Sequence, residues 1–580
     1  MGSLIQNTIW GKLKTPRPNT FIGGVSATLN TPALIAAKLG ISVSRIESFS
    51  IVGSNIQFAV TGNYTIPLNA FNGNTSITYY DDKAGLVTSI AAYAFSGCTM
   101  LTYIISPLVA SIGVGAFNSC TAITSYNFPK LLTISGANSS TAPYFPEASF
   151  GNNSSLVTFT AAKLTTISGH IAFRNNTSLV TFDTPLLSSI SGSNTFSGST
   201  NMTTFTSTNL TNLGTGGHFN GLNKLTSVDC SKLTSVPAFT FQGCSLLSYI
   251  NNLNSATSIG VYAFNSCTLI PNFTSPFVTS IGVSAFNSCI SITSYNFPEL
   301  LTITGAAGSS AVYYPEAPFG SNSSLVTFTA AKLTTINGHL AFRDSASLVT
   351  FDTPLLSSIS GSYTFLGSIN MITFTSTNLT NLGTGGHFNG LNKLTSVDCS
   401  KLTSVPAFTF QGCSLLSYIN NLNSATSIGS YAFSNCTLLP NFTSPFVTSI
   451  GVSAFNSCIS ITSYNFPELL TISGAAGSSA PYFPEAPFGS NSSLVTFTAA
   501  KLTTISGYIA FRNNTSLVTF YTPLLTTLGA NVGNNLVFES IKTGCSITVK
   551  ESLKTNNTGT ADGDLQFAIL SRAAIVNYTS

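Results

Sequence analysis

The chain of 580 residues carries few charges, because only 7% of its residues are Asp, Glu, Lys or Arg, against about 25% in an average protein. Its net charge is only +4. A protein that binds nucleic acid needs a face rich in Lys and Arg to displace counterions, so this composition excludes that class. With 43% hydrophobic residues and 43 phenylalanines, the chain is not a charged disordered polymer either.

The sequence also lacks several local patterns. It contains no run of about 18 apolar residues, so no membrane-spanning helix is predicted. It contains no C-x-x-C pair, phosphate-binding loop, dinucleotide fingerprint or EF-hand loop, so we expect no metal and no other cofactor. The N-terminus, Met1-Gly-Ser-Leu-Ile, lacks the basic leader and apolar core of a secretory signal, and we expect that the protein does not use the general secretory route.

Internal repetition dominates the sequence. The segment Ser111–Cys120 returns as Ser280–Cys289 and as Ser449–Cys458, which defines a block of 169 residues. Residues 201–260 and 370–429 differ at a single position. Such near-identity indicates recent duplication within the gene.

A finer repeat lies inside each block. One phenylalanine marks each repeat, from Phe71 to Phe511, which gives 19 repeats, most of them 22 to 24 residues long. Apolar residues recur at every third position, as at Phe95, Cys98 and Leu101. This spacing fits neither a helix nor a long strand. It is typical of a coil that turns inward at short intervals, and a stack of such coils buries a continuous core.

The repeats resemble the BspA-type leucine-rich repeat, as in Val87-Thr-Ser-Ile-Ala-Ala-Tyr-Ala-Phe-Ser-Gly-Cys-Thr-Met-Leu-Thr-Tyr-Ile-Ile-Ser-Pro107. The family signature has the form S-I-G-x-x-A-F-x-x-C-x-x-L-x-x-I-x-x-P, and the resemblance covers about residues 46–530. It implies a mostly β fold, a right-handed leucine-rich-repeat solenoid of about 19 coils with short parallel strands and little helix. It also implies a surface adhesin or an interaction protein. Several repeats replace the cysteine by Asn, Ser or Leu, which is compatible with the fold.

A non-repetitive segment precedes the repeats. Residues 1–45 contain Trp10, Pro16 and Pro18, and the pattern over 32–40 predicts a short helix that ends at glycine. We predict that this segment is a cap or an attachment module. Trp10, Pro16 and Pro18 are its candidate assembly anchor, because tight contacts favour rigid aromatic residues in desolvated pockets.

A second non-repetitive segment follows the repeats. Its end, Ala574-Ile-Val-Asn-Tyr, predicts a last strand. An open solenoid end is a strand edge that invites aggregation, so we expect both ends to be covered. The sequence therefore predicts a solenoid at 46–530, made of three block copies of which the last is truncated, between an N-terminal segment at 1–45 and a C-terminal cap at 531–580.

Most of the cysteines occupy one place in the repeat. They lie three residues after a marker phenylalanine, where other repeats carry asparagine. Both side chains can hydrogen-bond to main chain at a tight corner, so we interpret these thiols as free and structural, not as metal or redox groups. The eight residues are Cys98, Cys120, Cys244, Cys267, Cys289, Cys413, Cys436 and Cys458.

Candidate catalytic groups are few. The four histidines occupy two block positions, His170 with His339 and His218 with His387. A catalytic histidine needs a nucleophile or carboxylate beside it, and a polysaccharide-cleaving solenoid needs a facing carboxylate pair. Asp183 recurs as Asp352, but Tyr521 takes that place in the third copy. We therefore predict no catalytic residue and no enzyme activity, with a tailspike-like polysaccharide-cleaving enzyme as the alternative.

Three repeats are longer than the others, at 33 residues. Insertions in solenoids form loops on one face, often the binding face. Each insertion ends in adjacent aromatic residues next to proline, which suit stacking on a sugar ring or anchoring a protein contact. We predict that these residues bind a ligand, and the alternative is that they only pack on the neighbouring coil. They are Tyr144, Phe145, Tyr313, Tyr314, Tyr482 and Phe483.

These features predict a non-enzymatic structural or adhesion protein. The stiff solenoid, the low charge, the recent duplication and the lack of an export signal favour a bacteriophage virion fibre or decoration protein, assembled in the host cytoplasm. We expect it to bind polysaccharide or protein on the host surface and other virion proteins through its N-terminal segment, with no nucleic acid partner and no membrane span. The alternative is a BspA-like adhesin on a bacterial cell surface.

Overall fold

The structure, a computed structural model, describes residues 16–138, 147–305, 307, 317–474, 486–507, 509–529, 537–554 and 563–580. The chain forms two compact units, Met1–Ser255 and Ala256–Ser580. In both units the repeats are coils that each contribute short strands to parallel sheets. This confirms the predicted mostly β, leucine-rich-repeat fold.

The first unit begins with an antiparallel sheet. Strand Thr20–Gly23 pairs on one side with Asn55–Val60, which forms a hairpin with Ile46–Val52. On its other side the same strand pairs antiparallel with Tyr79–Asp82, and that strand pairs parallel with Tyr103–Ile105. The antiparallel strands therefore cover the edge that the first coils would otherwise expose, which is what a solenoid end requires.

The predicted N-terminal helix is confirmed as Pro32–Leu39. It begins after Thr31, whose hydroxyl accepts the N–H of Leu34, and it has proline in its first turn. It ends at Gly40, which takes the left-handed conformation that glycine adopts without strain. A short 3₁₀ helix, Val43–Arg45, follows.

Two parallel sheets form the body of the first unit, and successive coils add neighbouring strands to each. The strands of one sheet are Tyr64–Ile66, Val87–Ile90, Ser111–Ile112, Thr133–Ser135, Thr166–Ser168 and Ser189–Ile190. The strands of the other are Ser125–Asn127, Thr158–Thr160, Thr181–Asp183, Thr204–Thr206, Ser227–Val228 and Tyr249–Ile250.

The second unit repeats this arrangement in four sheets. Two of them contain Ser258–Ile259, Ser280–Ile281, Thr302–Thr304, Thr335–Asn337 and Ser358–Ile359, and Ser427–Ile428, Ser449–Ile450, Thr471–Ser473, Thr504–Ser506 and Thr527–Leu528. The third contains Phe273–Thr274, Ser294–Asn296, Thr327–Thr329, Thr350–Asp352, Thr373–Thr375, Ser396–Val397 and Tyr418–Ile419. The fourth contains Phe442–Thr443, Ser463–Asn465, Thr496–Thr498, Thr519–Tyr521, Ser546–Lys550 and Ile575–Thr579.

The C-terminal part of the second unit closes the fourth sheet. Its last strand, Ile575–Thr579, pairs parallel with Ser546–Lys550, which confirms the strand predicted at the end of the sequence. A 3₁₀ helix, Glu551–Leu553, and an α-helix, Gly563–Arg572, lie near these strands. In the first turn of the α-helix, the carboxylate of Asp564 accepts the N–H of Val537 at 3.1 Å. This helix was not predicted from the sequence.

Stacked phenylalanine rings fill the core. The marker residue of each coil is fully buried, and neighbouring rings lie face to face, as in the Phe150–Phe173 pair with centroids 4.9 Å apart and planes 5° from parallel. Rings from the strands meet them edge-on, as Phe159 meets Phe173 at 4.8 Å. Both geometries are the favoured ones for aromatic pairs.

A second ladder runs along the corner of each coil, three residues after the marker. The Cys98 thiol donates to the carbonyl of Phe71, the preceding marker, at 3.1 Å. Where asparagine replaces cysteine, its carbonyl oxygen accepts a main-chain N–H, as Asn153 does from Cys120 at 2.7 Å. All eleven cysteines are free and buried, which confirms the structural interpretation.

Serine and threonine hydroxyls link the coils on the outside. The hydroxyls of Thr165, Ser188 and Thr211 each donate to a carbonyl of the preceding coil, at 3.1 Å in every case. These neutral bonds satisfy polar groups where another protein would use charged side chains, which accounts for the unusual composition.

We predict that the native protein shows no thiol reactive toward a water-soluble disulfide reagent at neutral pH. Burial raises the pKa of Cys98, Cys244 and Cys289 to about 12, so the reactive thiolate is scarce. After unfolding in guanidinium without reductant, eleven thiols should react. Fewer than eleven would reveal disulfides and contradict the structural interpretation.

Candidate functional site: the loop-bearing corner

The six predicted binding residues lie outside the described residues, but the structure shows where their segments begin and end. Each segment follows a strand of its coil, Thr133–Ser135, Thr302–Thr304 or Thr471–Ser473. Each returns just before a marker phenylalanine, Phe150, Phe319 or Phe488. The three insertions therefore occupy the same corner of their respective coils, which we call the loop-bearing corner.

A small apolar cluster lies at the base of the first insertion. Ala137, before the insertion, and Ala148, after it, pack with Ile171 of the next coil, and all three are buried. The main chains of Ala137 and His170 exchange two hydrogen bonds, at 2.9 and 2.8 Å. In the second unit, Ala317 packs with Leu340 in the same way. The bases of these insertions are thus fixed parts of the coil stack.

Serine–histidine pairs accompany these bases. Nδ1 of His170 lies 2.8 Å from the Ser193 hydroxyl, and Nδ1 of His339 lies 2.7 Å from the Ser362 hydroxyl. These pairs were not predicted from the sequence, although a separation of 23 residues, one coil length, could have indicated them. They place hydrogen-bonding groups beside the insertions.

The backbone of the corner is left-handed. In coils without an insertion, the residue two positions before the marker has a positive φ; we call it the corner residue. Asn69, Gly115 and Asn194 suit this conformation, with φ of 58°, 61° and 55°. Tyr93 and Phe239 adopt it as well, at 55° and 59°, and Phe239 is 40% exposed.

The corner residues of the second unit include a set of aromatic side chains. Tyr363, Phe408 and Tyr431 have φ of 54°, 59° and 58° and are partly exposed. Bulky side chains rarely adopt this conformation, and such backbone strain concentrates at binding and active sites. These three residues were not predicted as candidate binding residues, because the identity of a tyrosine or a phenylalanine does not indicate a left-handed backbone.

The remaining histidines are structural. Nδ1 of His218 lies 2.9 Å from the Thr195 hydroxyl and Nε2 lies 2.9 Å from the carbonyl oxygen of Leu213. His387 makes the equivalent contacts in the second unit. Burial lowers the pKa of both imidazoles from the ordinary 6.5 to about 4, so they are neutral at physiological pH.

The recurring aspartates do not face a second carboxylate on their neighbouring strands. Asp183 lies in register between Thr160 and Thr206, and Asp352 lies between threonines in the same way. Within the part of the chain that the structure describes, no group of three or more His, Cys, Asp or Glu side chains is arranged to hold a metal ion.

The predicted anchor residues are only partly described. Trp10 lies outside the described residues. Pro16 is exposed and its carbonyl oxygen accepts the hydroxyl of Ser48 at 3.0 Å, and Pro18 is partly exposed. Ser48 lies in the N-terminal hairpin, so the described end of the N-terminal segment is attached to the antiparallel sheet.

A family model described as a BspA type leucine rich repeat region matches the chain in six copies, at residues 46–140, 137–232, 192–307, 307–402, 361–480 and 403–536. These matches cover most of the chain. The chain therefore belongs to the BspA-type leucine-rich repeat family. A search of curated proteins finds no match.

The chain is similar to solved leucine-rich-repeat structures. One is a leucine rich cell surface protein from Faecalibacterium prausnitzii, with 19% identity, coverage of 68% of this chain and 86% of that chain, and a TM-score of 0.24. Another is a leucine-rich repeat protein from Bacteroides ovatus, with 15% identity, coverage of 92% and 90%, and a TM-score of 0.22. A third is an internalin from Listeria monocytogenes, with 14% identity, coverage of 55% and 86%, and a TM-score of 0.22.

Among the described residues, no helix is both long enough and apolar enough to cross a membrane.

We predict that the buried histidines make the protein sensitive to acid. A folded-state pKa of about 4, below the ordinary 6.5, means that their contribution to stability is complete above pH 6.5 and is lost as the pH falls toward 4. The free energy of unfolding should therefore fall through this window, by up to about 1.4 kcal/mol per pH unit for each histidine. The unfolding temperature should fall with it.

The test is the pH dependence of thermal unfolding in the double variant His218→Gln, His387→Gln. It should unfold at a lower temperature at pH 7 but show a shallower decline between pH 6.5 and 4. The control variant His170→Gln, His339→Gln should keep the decline of the wild type. An unchanged slope in the first variant would show that other groups control the acid sensitivity.

Proposed function

We propose that the protein is a non-enzymatic adhesion protein that binds a polymer on a host cell surface through the loop-bearing corner. The observation that carries this proposal is the common position of the three insertions, each of which opens at the same corner of its coil. Each insertion carries adjacent aromatic residues. Several copies of one weak site suit a partner that is itself repetitive, because linked sites bind with avidity.

We further propose that this adhesion protein belongs to a bacteriophage virion, as a fibre or decoration protein. The near-identity of the 169-residue blocks supports this assignment, since recent duplication multiplies binding sites within one gene. The low charge also supports it, because binding that needs few ion pairs depends little on salt. The proposal includes a solenoid at 46–530, a C-terminal cap at 531–580, and attachment to other virion proteins through residues 1–45 with Trp10, Pro16 and Pro18. Mass spectrometry of purified particles tests the virion assignment. The protein should be in the particle fraction, and its presence in the bacterial envelope alone would contradict the assignment.

We predict that the aromatic pairs of the insertions act together. Replacing Tyr144 and Phe145, Tyr313 and Tyr314, or Tyr482 and Phe483 by alanine should weaken attachment to host cells only slightly. Replacing all six should weaken it by about 10² to 10⁴, the factor that linked sites typically add. Attachment is measured as the fraction of fluorescently labelled protein retained on washed cells.

The matched control is the variant Tyr249→Ala, Tyr418→Ala, which removes two exposed aromatic side chains from the sheets. It should attach like the wild type. The unfolding temperature of the six-residue variant should stay near that of the wild type. Normal attachment by that variant would refute the binding role, and a large drop in its unfolding temperature would show that the aromatic pairs are packing elements.

A further inference from the structure

The corner position of the second unit accepts both aromatic and non-aromatic residues. At the same place in other coils, the chain carries residues that accept a left-handed backbone, such as Ser284, Gly386 and Ser453, with φ of 53°, 70° and 54°. The corner N–H donates to the next coil with glycine as with an aromatic residue, because Gly386 donates to Ala407 at 2.9 Å and Tyr431 donates to Val452 at 2.8 Å. Ile171 and Leu340 adopt the same left-handed conformation but are buried, whereas the aromatic corner residues present part of a ring to solvent.

The two nearly identical blocks provide a natural comparison. Where the second block has Tyr363, the first has Asn194, a residue that favours the left-handed conformation. The corner N–H donates to the next coil at 3.1 Å in both cases. The Asn194 amide occupies the space beside Gly217 that the Tyr363 ring occupies beside Gly386. The exchange thus keeps the closure of the coil and adds an aromatic ring, which packs in part against the Ala317–Leu340 cluster and is otherwise exposed.

Three aromatic rings form a row along four successive coils, and the second of these coils has Gly386 at its corner. The Tyr363 ring leans over Gly386, since a Cβ atom on that glycine would lie only 2.5 Å from the ring. On the next two coils, the rings of Phe408 and Tyr431 stack with centroids 5.1 Å apart and planes 6° from parallel. The row therefore runs in the stacking direction of the coils, with a period close to the strand spacing of about 4.8 Å.

The surroundings of this row are polar and carry few charges. On the preceding coil, Arg343 and Asp344 form an ion pair at 3.1 Å, and Asp344 lies beside Gly367 in the turn of Tyr363. Asn389 and Gln411 lie in the same turns as Gly386 and Phe408, and the Asn389 amide donates to Gln411 at 3.1 Å. Between residues 353 and 440 the only charged side chains are Lys393, Asp398 and Lys401, and both lysines donate to asparagine side chains. Nucleobases also stack on aromatic rows, but single-stranded nucleic acid additionally requires a cationic groove. The row fits an uncharged partner.

We infer that the row of Tyr363, Phe408 and Tyr431 binds a neutral, linear polysaccharide that lies along the coils. The inference rests on the proposed adhesion function and names its ligand class. Sugar rings present apolar faces to aromatic residues and hydroxyls to amides such as those of Asn389 and Gln411, and a linear polymer matches a linear row.

The experiment is electrophoresis of the full-length protein in native gels that contain a dissolved polysaccharide. The probes are a neutral β-glucan, a galactomannan and a xylan, with alginate as the anionic counterpart. At least one neutral polymer should retard the wild type, and alginate should not. The variant Tyr363→Asn, Phe408→Asn, Tyr431→Asn should lose at least tenfold in affinity, and its unfolding temperature should be equal or higher because asparagine relieves the strain.

Two further variants make the result specific. Tyr418→Asn removes a tyrosine that is 56% exposed on a sheet and should bind like the wild type. Asn194→Tyr copies the second block into the first and should increase retardation. The inference is overturned if no neutral polymer retards the wild type, if only alginate does, if the triple variant binds normally, or if its unfolding temperature falls by several degrees.

The insertion variants separate this inference from the proposed function. If replacing the six insertion aromatics abolishes attachment to host cells while the corner triple variant attaches and migrates normally, the adhesion function stands and the polysaccharide row is wrong. If neither variant affects attachment, the adhesion function itself fails. If the corner variant still attaches to cells and a protein from those cells is captured in place of a neutral polymer, the ligand class is wrong.

Discussion

The fold depends on a hydrogen bond between successive coils at the marker phenylalanine. The carbonyl of Phe71 accepts the thiol of Cys98, and the carbonyl of Phe173 accepts the hydroxyl of Ser199 in the same way. Each of these buried carbonyls also accepts a donor from its own coil, the N–H of Asn74 at Phe71 and the side-chain amide of Asn176 at Phe173, both at 3.0 Å, so the bond between coils uses the second lone pair of the oxygen. This bond brings the markers of adjacent coils into register, so their rings stack. It also explains why Cys, Asn and Ser exchange freely at one position: each can bond to main chain in the space of a small side chain.

Once the interior of the corner is fixed in this way, its exterior is free to vary. A second residue with positive φ often lies two positions after the marker, as Gly73 does after Phe71, and the two left-handed residues turn the chain sharply enough to bury the phenylalanine. The side chain of the corner residue is partly exposed at Tyr363 and Tyr431 and buried at Ile171. The same corner tolerates insertions of about ten residues, because the coil closes through Ala148 and Ile171 as it does without them. Corner residues can therefore differ between blocks, as Asn194 and Tyr363 do, while the coil closes with the same main-chain hydrogen bond. Ser and Thr hydroxyls that link the coils keep this exterior nearly uncharged.

Much of this organisation could be predicted from the sequence, because equivalent positions recur in every repeat and the residues that occupy them can be compared. Periodic phenylalanines predicted the stacked core, glycine at position 40 predicted the end of the helix Pro32–Leu39, and the exchange of Cys with Asn predicted buried thiols. The antiparallel hairpin of Ile46–Val52 and Asn55–Val60 was not predicted, because the sequence contains no second copy of it to compare. Its second strand also pairs with Thr20–Gly23, a contact between distant segments that no local pattern indicates. The helix Gly563–Arg572 was not predicted, because it also lies outside the repeats and has no second copy to compare with. The aromatic corner row depends on backbone dihedral angles, and no residue pattern reports those for Tyr363 or Phe408.

The most direct test of a functional corner is hydroxyl-radical footprinting of the protein with and without the polymer that it binds. Aromatic side chains are oxidised when exposed, so the extent of labelling reports which of them a ligand covers. We predict that binding protects Tyr363, Phe408 and Tyr431, while Tyr418, 56% exposed on a sheet of the same unit, is labelled equally in both states. Protection of Tyr418 with unchanged labelling of the corner residues would place the ligand on a sheet and contradict a functional corner.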